Sequence, residues 1–373
     1  MGQPDLLIVG AGPVGCVVAE RAASVGWRSL VIDRRHHLAG NCWDSSYQGV
    51  LVHRYGPHYF RTDDPKLVEY LGRFTEWIPG SYFVRASHAG RLFPIPVNRR
   101  TLEMFYGVQL PTAEDAEALL ARVREPIAEP SNAEEYALAK VGRDLYEAFV
   151  RGYTRKQWGC EPRELAPWLL GRLPVRTDLD FRYVGHRYQI MPAAGFTAMF
   201  GRMLAHPKVE VRLGVDFAAV RGRVRPRVAT VYTGPVDDYF HHEEGRLPWR
   251  SLEFTYHLVE RERVQPCVQI NYPGEEPFTR EVEAKHVTGQ KHPHTVIARE
   301  YPRAHGEPYY PVPEASAQAM AERYRQRAEL ERRARQVWFV GRLAEYRYLN
   351  TDEAIGRALQ AFEEIRVVAR AGV

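Results

Sequence analysis

Lysine is scarce in this chain: of 51 basic residues, 6 are lysine and 45 are arginine. Cysteine is scarce too, with Cys16, Cys42, Cys160 and Cys267 and no Cys-x-x-Cys pair. That number and spacing exclude a disulfide-stapled scaffold and match no zinc site. Long apolar runs are missing. The stretch from Leu6 to Val18 is broken by three glycines and a proline, which leaves it too short to span a bilayer. No basic region followed by an apolar core and a cleavage site opens the chain. Leu6 stands where a myristoylation signal on Gly2 needs Ser or Thr. A cytoplasmic location without stable membrane insertion is therefore expected. No run of five or six like charges occurs, so no nucleic-acid-binding tail is expected and nucleic acid is not a predicted partner. No Ser–His–Asp set and no metal-ligand cluster can be picked out, so no metal is predicted.

What is present is a chain of 373 residues, 45% hydrophobic and 26% charged, long enough for more than one soluble folded domain. The net charge is +5. Arginine forks match phosphate oxygens, so the arginine excess suits a polyphosphate ligand; a genomic bias in composition would produce it equally well.

The opening residues read strand, turn, helix, strand: an apolar run Asp5–Val9, a helical stretch Pro13–Val25, and a second strand Ser29–Ile32 ending at Asp33. Between the first strand and the helix lies Gly10-Ala11-Gly12-Pro13-Val14-Gly15, a G-x-G-x-x-G turn. Its first glycine makes the turn and its second lets the backbone approach a pyrophosphate. Its third, Gly15, lets helix and strand pack closely. Asp33 follows at the spacing where a carboxylate accepts from ribose hydroxyls. This order predicts a dinucleotide site. Arg34, Gly40 and Asn41 follow the acid. A late segment, Gly341-Arg342 after the strand Val337–Val340, with Leu349, Asn350 and a helix from Thr351, favours FAD over NAD.

Farther along, 110–150 reads as helical, with a capping box at Ser131 and Glu134. Strands are expected at Val209–Leu213 and Arg227–Tyr232, longer antiparallel strands over 250–300, a polar helix over 314–336 and a closing helix Asp352–Val368. A βαβ start and a strand–helix finish predict an α/β protein whose Rossmann-like domain is assembled from both ends of the chain.

Several motifs resemble those of the UDP-galactopyranose mutase family. They are Tyr55-Gly56-Pro57-His58-Tyr59-Phe60, Gly152-Tyr153-Thr154-Arg155-Lys156-Gln157-Trp158-Gly159, Leu173-Pro174-Val175-Arg176, Arg187-Tyr188-Gln189 and Tyr232-Thr233-Gly234-Pro235 with Asp237. Glu300-Tyr301-Pro302, Pro308-Tyr309-Tyr310-Pro311-Val312 and Gly341-Arg342-Leu343-Ala344-Glu345-Tyr346 continue the resemblance, in order, over nearly the whole chain. It implies a Rossmann-like FAD-binding domain with an inserted helical bundle and a twisted antiparallel sheet. The implied FAD segments are 1–78, 195–245 and 314–373. The sheet segments are 79–100, 161–194 (with a mobile loop) and 246–313, and the helical bundle is 101–160.

The resemblance also implies an isomerase that interconverts the pyranose and furanose forms of a nucleotide sugar, by default UDP-galactopyranose and UDP-galactofuranose. The reaction would run through an adduct between the sugar and N5 of reduced FAD, with NAD(P)H or another external reductant. A homodimer is implied as well. By the same resemblance Arg176 and Arg280 bind the diphosphate, and His58 lies beside the flavin. Tyr188, Tyr310 and Tyr348 hold the phosphates. Phe149, Tyr153, Thr154, Trp158 and Asn271 form the uridine pocket, and Glu300 lies near the site.

The chain departs from the family pattern at three places that bear on the sugar. Arg61 replaces a second histidine, Tyr82 stands where an Asn or His is expected, and Asp180-Phe181-Arg182-Tyr183-Val184 replaces Asp-Asn-x-Tyr-Phe. A fourth departure, Ala39-Gly40-Asn41 for Gly-Gly-Asn, lies at the cofactor. The alternatives left open are the same chemistry on another sugar nucleotide (a deoxy sugar or a uronic acid), an FAD oxidoreductase, and a non-catalytic nucleotide-sugar sensor.

Overall fold

The computed structural model describes residues 3–371. Its first layer is a five-stranded parallel sheet in the order Val209–Leu213, Ser29–Asp33, Leu6–Val9, Ala229–Tyr232, Val337–Phe339. Three distant stretches of chain thus share one sheet. The central strand Leu6–Val9 is buried throughout, as a parallel strand covered on both faces must be. The helix Pro13–Ser24 covers one face. Its apolar side (Val14, Val17, Val18, Ala22) packs in one core with Ile355, Ala358, Phe362 and Ile365 of the final helix, Thr351–Ala371.

A second, seven-stranded sheet runs Tyr310–Pro311, Trp249–Val259, Thr295–Arg303, Arg280–Glu283, Gln269–Asn271, Val84–His88, Arg91–Ile95. All its pairings are antiparallel except that of Gln269–Asn271 with Val84–His88. Its longest pairing sets Ser251 against Arg303 and Val259 against Thr295. A small sheet of Phe60–Thr62, Tyr188–Pro192 and Trp77–Pro79 bridges the two. The expected class, a Rossmann-like domain carrying a helical insertion and an antiparallel sheet, is the class observed.

The helical insertion contains Arg99–Tyr106, Ala113–Val123, Ala133–Leu145 and Gly152–Trp158. The capping box expected at Ser131 and Glu134 is shifted by one residue. Asn132 is the N-cap and accepts from the Glu135 amide, while Ser131 donates its amide and hydroxyl to the Glu135 carboxylate. The sequence offers two adjacent capping side chains, and the Asn caps the helix as well as a Ser would. Gly142 breaks the third helix at φ 79°, and a Cβ there would sit 2.1 Å from the Val123 carbonyl oxygen. Two helices can therefore cross only because this residue has no side chain. Buried Arg250 ties insertion to sheet by donating to the carbonyls of Gln157 and Lys156. No helix of the described residues is long and apolar enough to cross a membrane.

Candidate active site

The glycine turn opens onto a groove of about 510 Å³. Gly10 has φ +109°, and an added Cβ would lie 2.0 Å from the Thr233 hydroxyl oxygen. A Cβ on Gly15 would lie 1.9 Å from the Gly10 carbonyl oxygen, so this glycine is required by packing of helix on strand. Gly12 and Gly40 bring two backbones together: a Cβ on Gly40 would come within 2.9 Å of the Gly12 Cα. Gly12 is the N-cap of the helix Pro13–Ser24 and no side chain caps it, so the first amides remain free for an anion. Asp33 accepts from the Ala11 amide at 2.8 Å and from the Arg35 amide at 2.8 Å, which aims its carboxylate at the groove while leaving lone pairs for hydroxyls.

Of the predicted cofactor residues, Gly10, Gly12, Pro13, Asp33, Arg34, Gly40, Asn41, His58, Gly341, Arg342, Leu349, Asn350 and Thr351 line this groove, and Gly15 lies behind it. Val215, Asp216, Phe217, Ala218 and Arg221 line it too. Sequence reasoning missed these because the loop after Val209–Leu213 carries no motif. Their only signal was position, immediately past the strand that pairs with Ser29–Asp33.

A second cavity of about 300 Å³ adjoins the groove, and His58, Arg342, Asn350 and Thr351 line both. His58 is half-buried and its Nδ1 meets the Gly56 carbonyl at 2.9 Å; an oxygen there can only accept, so Nδ1 carries the proton and Nε2 is a free acceptor. Burial and the neighbouring His53 push the His58 pKa down to about 3, so the ring is neutral at physiological pH. The His58 amide donates to His53 Nδ1 at 2.9 Å, fixing that second ring from behind.

Cations and phenols fill the middle of this cavity. The Arg172 guanidinium lies 3.8 Å from the centre of the Tyr348 ring, Arg342 lies 5.0 Å from it, and Tyr310 stacks on Tyr348 at 5.5 Å. Burial alone would raise the Tyr348 pKa, but Arg172, Arg342 and Arg280 overcome it and draw it down to about 8. Arg342 is held by donation to the carbonyls of Leu349 and Tyr309. Arg280 donates Nε to the Tyr153 hydroxyl at 2.8 Å and lies 3.3 Å from the buried carboxylate of Glu300. Burial raises the Glu300 pKa and the Arg280 charge opposes that rise. Among the described residues, no Asp or Glu lines this cavity.

The structure brings His58, Arg61, Tyr82, Phe149, Tyr153, Thr154, Trp158, Asn271, Arg280, Tyr310 and Tyr348 to the cavity wall. It does not bring Arg176, Tyr188 or Glu300 there. Arg176 turns into its own loop: it donates to the carbonyls of Asp180 and Arg182, and its amide binds the Val97 carbonyl. Arg172 faces the cavity instead. An arginine stands at each end of Leu173-Pro174-Val175, and sequence alone does not say which one turns inward. Tyr188 pairs with Thr62 in the small sheet and its ring lies under Arg187, off both cavities. Glu300 sits behind Arg280 rather than on the wall. Phe181 lies on the outer side of the loop, with Phe83 and Cys267 around a separate recess.

Tyr183 and Gln269 were also missed. Tyr183 enters the cavity because its amide binds the Tyr82 carbonyl at 2.8 Å. Gln269 precedes Asn271 by two residues on one strand, hence on the same face, which was a usable signal. It accepts from the Tyr82 hydroxyl at 2.8 Å and donates to Asn271 Oδ1 at 2.6 Å.

Comparison with known proteins gives the family. The family model for UDP-galactopyranose mutase matches residues 148–348, and that for an NAD(P)-binding Rossmann-like domain matches residues 8–74. A probable UDP-galactopyranose mutase of Klebsiella pneumoniae is 37% identical over 372 residues, covering 98% of this chain and 95% of that protein. The chain belongs to the UDP-galactopyranose mutase family, whose members are isomerases. Another relative, a dTDP-fucopyranose mutase of Escherichia coli, is 34% identical over 366 residues and is covered to 96%. The fold matches that of a reduced UDP-galactopyranose mutase with a TM-score of 0.78 at 16% identity, over 99% of this chain and 95% of that one. Within this family two similar relatives carry names with different sugars and bases, so membership leaves the sugar open.

Proposed function

We propose that the protein interconverts the pyranose and furanose forms of a nucleoside-diphosphate sugar, with UDP-galactopyranose as the default substrate, on bound FAD in its reduced form. The observation that carries this reading is the junction of the two cavities. A dinucleotide groove and a cation-rich, acid-free cavity share His58, Arg342, Asn350 and Thr351. A reaction between cofactor and sugar needs that shared wall, and a diphosphate leaving group needs those cations.

The groove suits FAD. A side chain at Gly12 or Gly40 would fill the cleft where a pyrophosphate approaches, and Asp33 is oriented for a ribose. Reduced flavin would supply the nucleophilic nitrogen for attack at the anomeric carbon, which accounts for the missing side-chain nucleophile. The protein's own residues act on the rest of the substrate. As the anomeric carbon–oxygen bond breaks, charge grows on the departing diphosphate. Arg172, Arg280 and Arg342, with the hydroxyls of Tyr310 and Tyr348, are grouped to compensate it. Tyr153 and Glu300 hold Arg280 in place beforehand. Asn271, fixed by Gln269, presents an amide to a pyrimidine edge beside the rings of Phe149 and Trp158. Neutral His58 offers Nε2 as an acceptor at the junction, where an imidazolium would repel nearby arginines.

NAD(P)H as reductant, a cytoplasmic location and a homodimer belong to the same reading. To test it, the FAD-loaded protein is reduced with dithionite and incubated with UDP-galactopyranose and, separately, dTDP-fucopyranose. A furanose product from either sugar, formed only after reduction, is the expected result. Absence of a furanose from every sugar nucleotide tried, in a protein that holds FAD, would overturn it.

A further inference from the structure

Resting on the mutase reading above, we propose that this site prefers a sugar that carries a carboxylate, as a hexuronic acid does, over galactose itself, and that Arg61 is the residue that selects it. Arg61 lines the cavity but forms no ion pair with any Asp or Glu among the described residues. Its two side-chain partners are neutral: the Tyr59 hydroxyl at 3.1 Å and Asn350 Oδ1 at 2.7 Å. Asn350 is one of the residues common to groove and cavity, so Arg61 stands at the sugar end, next to where cofactor and anomeric carbon meet. Asp352, on the helix that follows Asn350, feels the Arg61 charge without forming an ion pair with it.

Charge balance gives the same assignment. The cavity wall carries Arg61, Lys140, Arg172, Arg280 and Arg342 and no acid. Lys140 is solvent-exposed on the helix Ala133–Leu145, where water compensates it, and Glu300 faces Arg280 from behind. A nucleoside diphosphate brings two negative charges to the cluster around Tyr348. Arg61, at the far end, then has neither an acidic side chain nor the diphosphate as a partner. A partly buried guanidinium gains most from a carboxylate that meets it fork to fork.

The wall beside Arg61 is built largely of aromatic ring faces. Tyr59 and Tyr82 stack face to face at 4.4 Å, and the Tyr82 hydroxyl is already committed to Gln269. Ring faces and one cation make a surface that tells a carboxylate from a hydroxymethyl group better than one hydroxyl from another.

The test compares equilibrium binding of UDP-galacturonic acid and UDP-galactose to the FAD-loaded protein by calorimetry, then furanose formation from each after reduction. The expected result is tighter binding of the uronic acid by about tenfold or more. In Arg61→Gln that preference should shrink to about twofold or less, while Arg61→Lys should keep part of it. Equal or weaker binding of the uronic acid, alongside normal binding and turnover of UDP-galactose, would overturn the proposal and leave the mutase reading standing. A preference that survives in Arg61→Gln would overturn the role of Arg61. If neither sugar nucleotide binds nor yields a furanose, and dTDP-fucopyranose does not either, the mutase reading fails and the proposal falls with it.

Discussion

Where the groove is shaped by what the chain omits at Gly10, Gly12, Gly15 and Gly40, the adjoining cavity is shaped by what it adds: arginines, tyrosines and an asparagine. The groove residues cluster near 9–42, 215–221, 232–242 and 341–354, with His58 beside them. The cavity residues come from the 55–61 loop, two helical segments, the 172–183 loop, the central strands of the large sheet and the segment before the last helix. A ligand held by backbone needs close approach, which few residues permit. A ligand held by side chains needs only that the right groups arrive from somewhere.

The comparison can be broken most completely at Gly15. Replacing Gly15 with Val puts side-chain atoms into the Gly10 backbone, and a loss of more than about 4 kcal/mol is expected. A protein that still folds, judged by chemical denaturation, and still turns yellow with FAD would show that the close packing is not required.

Cavity substitutions should instead leave a folded protein that is yellow but slow. Arg280→Ala removes a diphosphate cation and strands buried Glu300, so kcat/KM should drop by about 10³ (roughly 4 kcal/mol). A thermal melt with FAD bound separates that loss from unfolding. Arg172→Ala should cost about 10², mostly in kcat, if the cations around Tyr348 meet the departing diphosphate as proposed. Arg176→Ala should cost about tenfold and mainly raise KM, since Arg176 shapes the loop rather than touching the cavity. Equal effects at the two positions would erase the distinction between wall and strut.

The smallest effect sharpens the picture through pH. Tyr348 titrates near 8 in the free protein, its pKa lowered by the surrounding arginines. Below that value the phenol is neutral and the arginines are free to meet a diphosphate. Above it the phenolate both repels the ligand and occupies the cations. Affinity for UDP-galactose should therefore fall as pH rises past 8, by up to about tenfold per unit. Tyr348→Phe should flatten that limb. A limb unchanged in Tyr348→Phe would assign the titration to another group.

The same division explains what could be read beforehand. Glycine spacing and an acid at the end of a strand are local and ordered along the chain, so most of the groove was legible, though not its segment 215–221. The mutase resemblance then located most of the cavity. It did not decide the direction of individual side chains. Arg172 and Arg176 differ only in how one loop folds back on Val97 and Tyr82, and Tyr183 and Tyr188 differ by which side of that loop they follow. Those choices rest on backbone hydrogen bonds between segments about a hundred residues apart, which no local pattern encodes.

The assembly of the parallel sheet from 6–33, 209–232 and 337–339 bears on how the protein is made. The apolar side of the helix Pro13–Ser24 is covered by the helix Thr351–Ala371, with the Trp27 ring 5.8 Å from Phe362. On a ribosome adding about 5–20 residues per second, that cover arrives roughly 17–70 s after the helix it protects. For that interval the nascent chain exposes a greasy stripe beside an incomplete sheet, a surface suited to a chaperone. Adding FAD early cannot shorten the wait by much, because Gly341 to Thr351 belong to the groove and emerge only just before that covering helix.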